Sequence, residues 1–241
     1  MRRSRLFQQQ KLAQGTTVTL DREGAHYLGR VLRLKAGDKV NLFNSEDGEF
    51  SATLIHSDRH RVTVQLDDSA VNLTDPQLAV NLGLGLSRGE RFDYAIQKST
   101  ELGVVRIIPL VTENCEVRLA GDRSEKKLTH WQRVAISACE QCGRSVVPTL
   151  AEPVDLTRWL ADNRGGLLLD ASGDPGLPDT VPAQPLNLLI GPEGGFSEQE
   201  VNLARQHDYQ VIRLGPRILR TETAPVVALS LLQYLFGDLG K

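Results

Sequence analysis

The sequence predicts an α/β protein built from a small N-terminal β-barrel and a larger C-terminal domain with a parallel sheet. Two observations lead to this prediction. Residues 16–68 are mainly of β type, with the period-two alternation of half-buried strands in two runs, whereas beyond Pro76 short apolar runs alternate with helical patterns. The 241 residues are 40% hydrophobic and 24% charged, which is an ordinary globular composition. We place the barrel at 1–72 and the second domain at 76–241.

The N-terminal region consists mainly of predicted strands. Residues 50–54 and 62–66 alternate between apolar and polar side chains, and 44–48 is a cluster of turn-forming residues. One short helix interrupts the strands, because Leu28, Val31 and Leu32 recur at helical spacing. Several short strands within about 70 residues favour a small barrel.

After Pro76, strands and helices alternate. Buried-type strands are predicted over 78–84, 104–111, 166–170, 186–190 and 210–214. Helices are predicted from a Ser87/Glu90 capping box to Gly103, over 128–142 before Gly143, from a second capping box at Ser197/Glu200, and over 223–236. This alternation implies a parallel sheet with helices on both faces.

Several functional classes are disfavoured by composition. No apolar run approaches the ~20 residues of a membrane span, and the basic N-terminus lacks the apolar stretch of a secretory signal. Three cysteines do not suggest a disulfide framework. Cys139 and Cys142 form a C-x-x-C pair, but they follow the apolar stripe of a predicted helix, and the histidines show no metal spacing. We expect buried cysteines, no metal site and a cytoplasmic protein.

Basic residues are concentrated near the N-terminus. The net charge is −2, yet residues 1–40 hold 9 basic and 3 acidic residues, a local balance of +6. Such a patch fits a polyanion, although a solvated face would have the same composition. Arg30 and Arg33 are three apart on the predicted helix and would share a face. Arg144 follows a predicted helix end, where it could hold a phosphate or orient a base, or simply lie on the surface.

The strongest functional signal is a pair of glycine-proline loops near the C-terminus. Residues 191–197 read Gly-Pro-Glu-Gly-Gly-Phe-Ser, and 214–224 read Leu-Gly-Pro-Arg-Ile-Leu-Arg-Thr-Glu-Thr-Ala. At the same end of adjacent strands, two such loops would form a ligand cradle from backbone atoms, because glycine permits close approach. Phosphate binding at a helix start is an alternative, but Glu193 adds negative charge and no P-loop lysine follows. An uncharged or cationic ligand suits the first loop better.

A further glycine pattern, Gly83-x-Gly85-x3-Gly89, follows a predicted strand. It has one residue too many for the dinucleotide-binding fingerprint, and no acidic residue is suitably placed to bind a ribose. A strand-to-helix turn is the preferred interpretation.

At these residues the chain resembles the bacterial 16S ribosomal RNA uridine-N3 methyltransferases, the small-subunit methyltransferase E family of the SPOUT superfamily. The resemblance lies in both loops, in 98–104, in 140–148 and in 26–38, so it covers nearly the whole chain. One departure is 112–115, Thr-Glu-Asn-Cys, where relatives more often carry Thr-x-Arg-Ser. The departure implies that a local RNA contact differs here.

The resemblance implies a PUA-like N-terminal barrel and a SPOUT domain with a deep trefoil knot. It also implies a homodimer with active sites at its interface. The implied reaction is methyl transfer from S-adenosylmethionine to N3 of a uridine in the 16S ribosomal RNA of the small ribosomal subunit. The acceptor base must be unpaired and splayed out, because N3 lies on its Watson–Crick edge.

The resemblance also suggests roles for individual residues. Arg220 is expected to orient the uridine and favour its anionic form, and Glu222 or Thr223 to assist proton removal or hold the base. The expected cofactor residues are Leu189, Ile190, Gly191, Glu193, Gly194, Gly195, Leu214, Gly215, Ile218, Leu219, Thr223 and Ala224. The expected RNA contacts are Arg2, Arg3, Arg5, Arg30, Arg33, Arg144 and Arg217.

Two other functions are compatible with parts of the sequence. One is a non-catalytic RNA-binding or ribosome-assembly factor, which the intact segments 191–197 and 218–224 disfavour. The other is a nucleotide-phosphate or dinucleotide enzyme, which Glu193 and the failed glycine spacing disfavour.

Overall fold

The computed structural model describes residues 3–58, 61–70, 76–117, 121–180 and 184–241. The chain divides into two compact units. The first comprises Met1–Asp75 with Cys139–Val147, and the second comprises Pro76–Ala138 with Pro148–Lys241. Arg2, His60 and residues 72–75, where the two predicted domains meet, lie outside the described residues. The division into domains at 72 and 76 therefore stays a prediction.

The first unit contains a five-stranded sheet. Its strands are β1 (Arg5–Phe7), β2 (Thr17–Thr19), β3 (Lys39–Asn44), β4 (Gly48–Ser57) and β5 (Val62–Ala70). They lie in the order β1-β3-β4-β5-β2, and all pairs are antiparallel except β1 with β3. The strands predicted around 50–54 and 62–66 are confirmed as parts of β4 and β5. Their alternate apolar side chains enter one hydrophobic core, which is why the period-two pattern is visible in the sequence.

The predicted short helix is only partly correct. An α-helix, α1 (Arg22–His26), continues into a π-helical turn over Tyr27–Val31. Leu28 is fully buried, but Val31 is 56% exposed, so the apolar spacing did not mark a buried stripe. Arg33 lies beyond the turn with φ +55°, and it therefore does not share a helical face with Arg30.

A buried ion pair connects β1 to β4. Arg5 Nη2 lies 2.7 Å from Glu49 Oε2, and both side chains are less than a tenth exposed, at 7% and 8%. Arg5 also donates to the backbone carbonyls of Cys139 and Arg144, which joins segment 139–147 to the first unit. Arg5 was expected to contact RNA. Its guanidinium is instead occupied inside the protein, and this placement argues against that role.

Replacing Glu49 with Gln should make the free energy of unfolding less dependent on pH in the acid range. Burial raises the pKa of Glu49, but hydrogen bonds from Arg5, Asn41 and Ser145 outweigh it, so the pKa lies below its ordinary 4.5. A depressed pKa stabilises the fold above pH 4.5, and this contribution is lost as the pH falls through the folded value. We expect Glu49→Gln to lower the free energy of unfolding by about 2 kcal/mol at neutral pH, because charge-assisted hydrogen bonds are lost, and the difference from wild type should narrow in acid. Urea unfolding of wild type and variant, from neutral pH to below pH 4.5, measures this difference in the free energy of unfolding.

Glu46→Gln is the matched control, because Glu46 is exposed on the neighbouring turn. A Glu49→Gln variant that differs from wild type by the same amount at all pH values would contradict the role of the Glu49 charge.

The second unit is built on a seven-stranded sheet. Its strands are β6 (Val80–Gly85), β7 (Val104–Val111), β8 (Thr149–Leu150), β9 (Val154–Asp155), β10 (Gly166–Pro175), β11 (Leu186–Ile190) and β12 (Tyr209–Arg213). The order is β12-β10-β11-β6-β7-β8, with β9 also paired to β7. Every pair is parallel, which confirms the predicted sheet. The short strands β8 and β9 were not predicted.

Among the described residues, five helices follow strands of this sheet along the chain. They are α2 (Glu90–Glu101), α3 (Asp122–Cys142), α4 (Leu156–Asp162), α5 (Glu198–Gln206) and α6 (Thr223–Phe236). Apolar side chains of α4 and α5 share a buried core with β7, β10, β11 and β12. Within the described residues, no helix is both long and apolar enough to cross a membrane.

The helix-capping predictions had different outcomes. The capping box of Ser197 and Glu200 at the start of α5 is confirmed. The box predicted at Ser87 is wrong, because α2 begins after Gly89 and Ser87 is 5% exposed. Gly103 ends its helix as expected, with φ +85°.

Candidate functional site

The register of the parallel sheet brings the two loops to one edge. β10 lies between β11 and β12, and its residue Leu169 is opposite Ile190 on one side and Ile212 on the other. Because the strands are parallel, the segments leaving their carboxyl ends emerge together. The prediction that the two loops follow adjacent strands is therefore wrong in that detail. The loops still meet, across the end of β10.

A cavity of about 660 Å³ lies between the two loops. This volume is typical of a small-molecule site. Among the residues that line it are ten of the predicted cofactor residues: Ile190, Gly191, Glu193, Gly194, Gly195, Leu214, Gly215, Ile218, Leu219 and Ala224. Leu189 and Thr223 are not among them; Leu189 is fully buried, and Thr223 is the first residue of α6.

The loop at 191–197 is a tight turn whose backbone faces the cavity. Its turn is closed by a hydrogen bond from Gly195 N to Pro192 O of 2.9 Å. Gly195 has φ +66°, and a β carbon there would meet no atom within 4 Å. At Gly191, by contrast, a β carbon would lie 3.0 Å from the carbonyl carbon of Gly195. The glycines therefore serve both a left-handed turn and close backbone packing.

Strand β6 supports this loop from below. A β carbon on Gly85, the last residue of β6, would lie 2.3 Å from Pro192 N and 2.7 Å from Gly191 C. Gly85 is thus explained by packing against the loop, whereas Gly89 has φ +56° at the N-cap of α2. This agrees with the rejection of a dinucleotide fingerprint.

The negative charge of the first loop is balanced by an arginine that the sequence reading missed. Arg91, on α2, lines the cavity and places Nη1 3.1 Å from Glu193 Oε1. The argument that Glu193 by itself repels anions is weakened accordingly. No local pattern could have identified Arg91, because its partner lies about a hundred residues away in the sequence.

The second loop presents ionisable side chains to the same cavity. Arg217, Arg220 and Glu222 all line it, and none of their side chains forms a hydrogen bond or ion pair with a described residue. The carbonyl of Arg220 accepts hydrogen bonds from the backbone N–H groups of Thr223 and Ala224, at 2.8 and 2.9 Å, which starts α6. Glu222 is the N-cap residue of α6, yet its carboxylate makes no capping bond. These three side chains are therefore available to a ligand.

Asp170 is a second residue that the sequence reading missed. It lines the cavity from β10, and its Oδ1 accepts hydrogen bonds from the backbone N and Oγ of Ser172, at 2.8 and 2.6 Å. The signal was present, because Asp170 ends a predicted buried strand of a parallel sheet, where ligands commonly bind.

The predicted RNA contacts are placed differently from one another. In the first unit, Arg3, Arg30 and Arg33 are exposed, whereas Arg144 is only 2% exposed and would have to become accessible to bind a phosphate. Arg217 lines the cavity of the second unit.

The predicted cysteine environment agrees with the structure. Cys139 is buried and Cys142 is partly buried, and neither is joined in a disulfide bond to another described residue. Among the described residues, no cluster of three or more His, Cys, Asp or Glu side chains could hold a metal ion.

Comparison with known protein families identifies both parts of the chain. Residues 74–233 match the family model of an RNA methyltransferase domain, and residues 20–67 match that of an RNA methyltransferase PUA domain. Ribosomal RNA small subunit methyltransferase E of Buchnera aphidicola subsp. Schizaphis graminum is 35% identical over 92% of either chain. The protein of that name from Synechocystis is also 35% identical, over 89% of this chain and 72% of its own.

Solved structures show the same similarity. Ribosomal RNA small subunit methyltransferase E from Neisseria gonorrhoeae, bound to S-adenosyl methionine, superposes with a TM-score of 0.93 at 33% identity, covering 99% of this chain and 100% of that one. A methyltransferase from Legionella pneumophila, in complex with the cofactor SAM, gives a TM-score of 0.91 at 37% identity with the same coverage. The predicted α/β fold class is confirmed.

Proposed function

Because the chain belongs to the ribosomal RNA small subunit methyltransferase E family, we propose that it transfers a methyl group from S-adenosylmethionine to N3 of a uridine in 16S ribosomal RNA. The observation that carries the proposal is the cavity between 191–197 and 214–224, which joins a backbone-lined surface to unpaired ionisable side chains. The relatives named above supply the substrate class and the cofactor.

The cavity fits S-adenosylmethionine in size and chemistry. Its volume of about 660 Å³ is large enough for a ligand of that class. Its backbone groups suit a planar heterocycle, and both carboxylates and guanidinium groups are present for a molecule that carries charges of both signs. On the side of the first loop we assign Gly191, Gly194 and Gly195 to cofactor binding, and on the side of the second loop Leu214 and 218–219. When bound, the cofactor supplies an electrophilic methyl group.

Arg220 is the proposed orienting residue for the acceptor base. Uridine N3 carries a proton and becomes a good nucleophile only when that proton leaves. A guanidinium beside the uracil favours its anionic form and presents a planar array of donors. Arg220 lines the cavity with no partner among the described residues, so its charge is available for this task.

Glu222 is the better candidate for accepting the N3 proton. It lines the cavity, whereas Thr223 does not. A general base must lie within hydrogen-bond reach of the proton that it removes, and an uncommitted carboxylate satisfies this more readily than a hydroxyl. Thr223 is assigned to the start of α6, where its backbone N–H bonds to Arg220 O and so helps to fix that residue.

The exposed arginines of the first unit are the further proposed RNA contacts. Arg30 and Arg33 flank the exposed side chains of Val31 and Leu32, and neither arginine makes an ion pair with a described residue. Unpaired arginines beside exposed apolar groups suit a single-stranded RNA, whose phosphates and bases are both accessible. Arg3 extends the same basic region of the sequence.

Removing Arg30 and Arg33 together should weaken RNA binding without affecting the cofactor. Two lost phosphate contacts would reduce the slope of log affinity against log salt by about 1.4 for unpaired RNA. Filter binding to a 16S RNA fragment at several salt concentrations measures this slope. Arg61→Ala, which removes an exposed arginine next to β5, is the control and should leave the slope unchanged. An unchanged slope in the double variant would remove these residues from the RNA interface.

An exposed apolar face of α6 supports the proposed homodimer. The α6 side chains Leu231, Tyr234 and Leu235 recur at helical spacing and are 39%, 63% and 56% exposed. We propose that a second copy covers this apolar face, so that sedimentation equilibrium would give about twice the 26.6 kDa chain mass.

The proposed function also includes a trefoil knot formed by the two loops. A protein that modifies ribosomal RNA would act in the cytoplasm.

The test of the activity is mass spectrometry of 16S RNA from a strain that lacks the gene. We expect one uridine to lack its N3 methyl group and to regain it when the purified protein and S-adenosylmethionine are added. Calorimetry with S-adenosylmethionine, NAD and ATP separates the alternatives. A nucleotide enzyme would bind NAD or ATP, and a non-catalytic RNA-binding factor would bind RNA without restoring the methyl group.

A further inference from the structure

The segment 112–115 lies against the loop at 191–197. Asn114 Nδ2 donates to the carbonyl oxygens of Gly194 at 3.0 Å and Gly195 at 3.3 Å. The contact is also close sterically, since a β carbon on Gly194 would lie 2.8 Å from Asn114 Cβ. One side chain from the end of β7 therefore holds two successive peptides of the loop that lines the cavity.

The same segment is fixed at a second point. The backbone N–H of Glu113 donates to Glu200 Oε1 at 2.8 Å. The other carboxylate oxygen of Glu200 accepts from Ser197 N at 2.9 Å and completes the capping box of α5. The segment is therefore tied both to the loop and to the helix that follows it.

Cys115 anchors the segment to the sheet. Its Sγ lies 3.5 Å from the carbonyl oxygen of Leu110 and 3.6 Å from that of Leu86. Its backbone N–H also donates to Thr112 O at 3.1 Å, which closes a turn. Asn114 is thus presented from a fixed turn, so its two hydrogen bonds can restrain the loop.

We propose that Asn114 is a positioning residue for the cofactor, which it serves by fixing the Gly194 and Gly195 peptides in the conformation that receives the ligand. Glycine has the largest backbone freedom of any residue, so a glycine pair must be ordered when a ligand binds to it. Hydrogen bonds that order the pair beforehand reduce that cost. This inference rests on the proposed function, because it takes S-adenosylmethionine as the ligand.

The placement also revises what the sequence departure at 112–115 implies. An amide group has two N–H donors, and Asn114 directs its nitrogen at two carbonyl oxygens of its own chain. Those donors are consequently committed to the loop. The departure from the family pattern had implied only an altered RNA contact. In the structure, the asparagine at this position instead bonds within the protein.

The decisive variant is Asn114→Asp, which keeps the size and shape of the side chain and removes both donors. We expect the Kd for S-adenosylmethionine, measured by calorimetry, to rise five- to tenfold, because a carboxylate would face two carbonyl oxygens. Asn114→Ala should raise it about threefold. In both variants KM for the cofactor should follow Kd, while kcat at saturating cofactor stays within about twofold of wild type.

Gln199→Glu is the matched control. Gln199 is exposed in the first turn of α5, so the substitution adds the same negative charge on a helix that follows the loop without touching Asn114. It should leave Kd within twofold of wild type. A wild-type protein that does not bind S-adenosylmethionine would contradict the proposed function itself.

If wild type binds and Asn114→Asp binds within twofold of it, the positioning role is wrong. If Asn114→Asp fails to fold, as judged by its melting temperature, the Kd of Asn114→Ala for S-adenosylmethionine tests the positioning role instead. An unchanged Kd in that variant overturns the inference, and a raised Kd with kcat preserved supports it.

Discussion

Replacing Arg220 with alanine is expected to lower the rate of methyl transfer by about a thousandfold while leaving S-adenosylmethionine binding within a few-fold of wild type. The reason is that the guanidinium stabilises negative charge that develops on the uracil as N3 loses its proton, and preorganised donors of this kind contribute about 3–4 kcal/mol. The side chain lines the cavity without a partner among the described residues, so its removal should not disturb packing. Single-turnover methylation and calorimetry measure the two quantities.

Two further variants make this prediction specific to Arg220. Arg205→Ala removes an exposed arginine of α5 and should leave the rate unchanged. Arg220→Lys keeps the charge but loses the planar fork, so a partial recovery of rate is expected. Normal turnover by Arg220→Ala would exclude the catalytic role.

Replacing Gly85 with alanine is expected to lower the free energy of unfolding by about 3 kcal/mol and to weaken cofactor binding at least tenfold. The added β carbon would lie 2.3 Å from Pro192 N and 2.7 Å from Gly191 C, so the backbone of the first loop must move. A clash with backbone cannot be relieved by a rotamer change, and overpacking of this kind is costly. Urea unfolding and calorimetry with S-adenosylmethionine provide the measurements.

Gly83→Ala is the matched control on the same strand. There the added carbon would meet Leu189 Cδ2 at 2.5 Å and Leu110 Cδ1 at 2.9 Å, which are the ends of flexible side chains. We expect a loss of about 1 kcal/mol with cofactor binding retained. Equal losses of binding in the two variants would show that general destabilisation, rather than displacement of the loop, is responsible.

Much of the second unit could be predicted, because its elements carry clear local signals. The predicted strands 104–111 and 186–190 and the final helix 223–236 coincide with β7, β11 and α6. Continuous apolar runs mark strands that are buried on both faces of a parallel sheet, and glycines mark the helix ends. The short strands β8 and β9 lacked such a signal, since two residues are too few to show a period.

The errors occur where tertiary packing outweighed local spacing. Leu28, Val31 and Leu32 have helical spacing, but only Leu28 is buried and the backbone forms a π-helical turn. Ser87 matched a capping box, yet it is buried and the helix begins after Gly89. Arg5 belongs to a basic stretch of sequence, but its charge is paired with Glu49 inside the first unit.

The sequence by itself determined the two loops, the parallel α/β class and the family resemblance, because glycine placement, hydrophobic period and motif are local properties of a chain. Only the tertiary structure placed β10 between the strands that carry the loops. It also brought Arg91 to Glu193 and Asn114 to the Gly194–Gly195 peptides. These contacts join residues about 80 to 100 positions apart, and their existence depends on strand order and register, which no local pattern encodes.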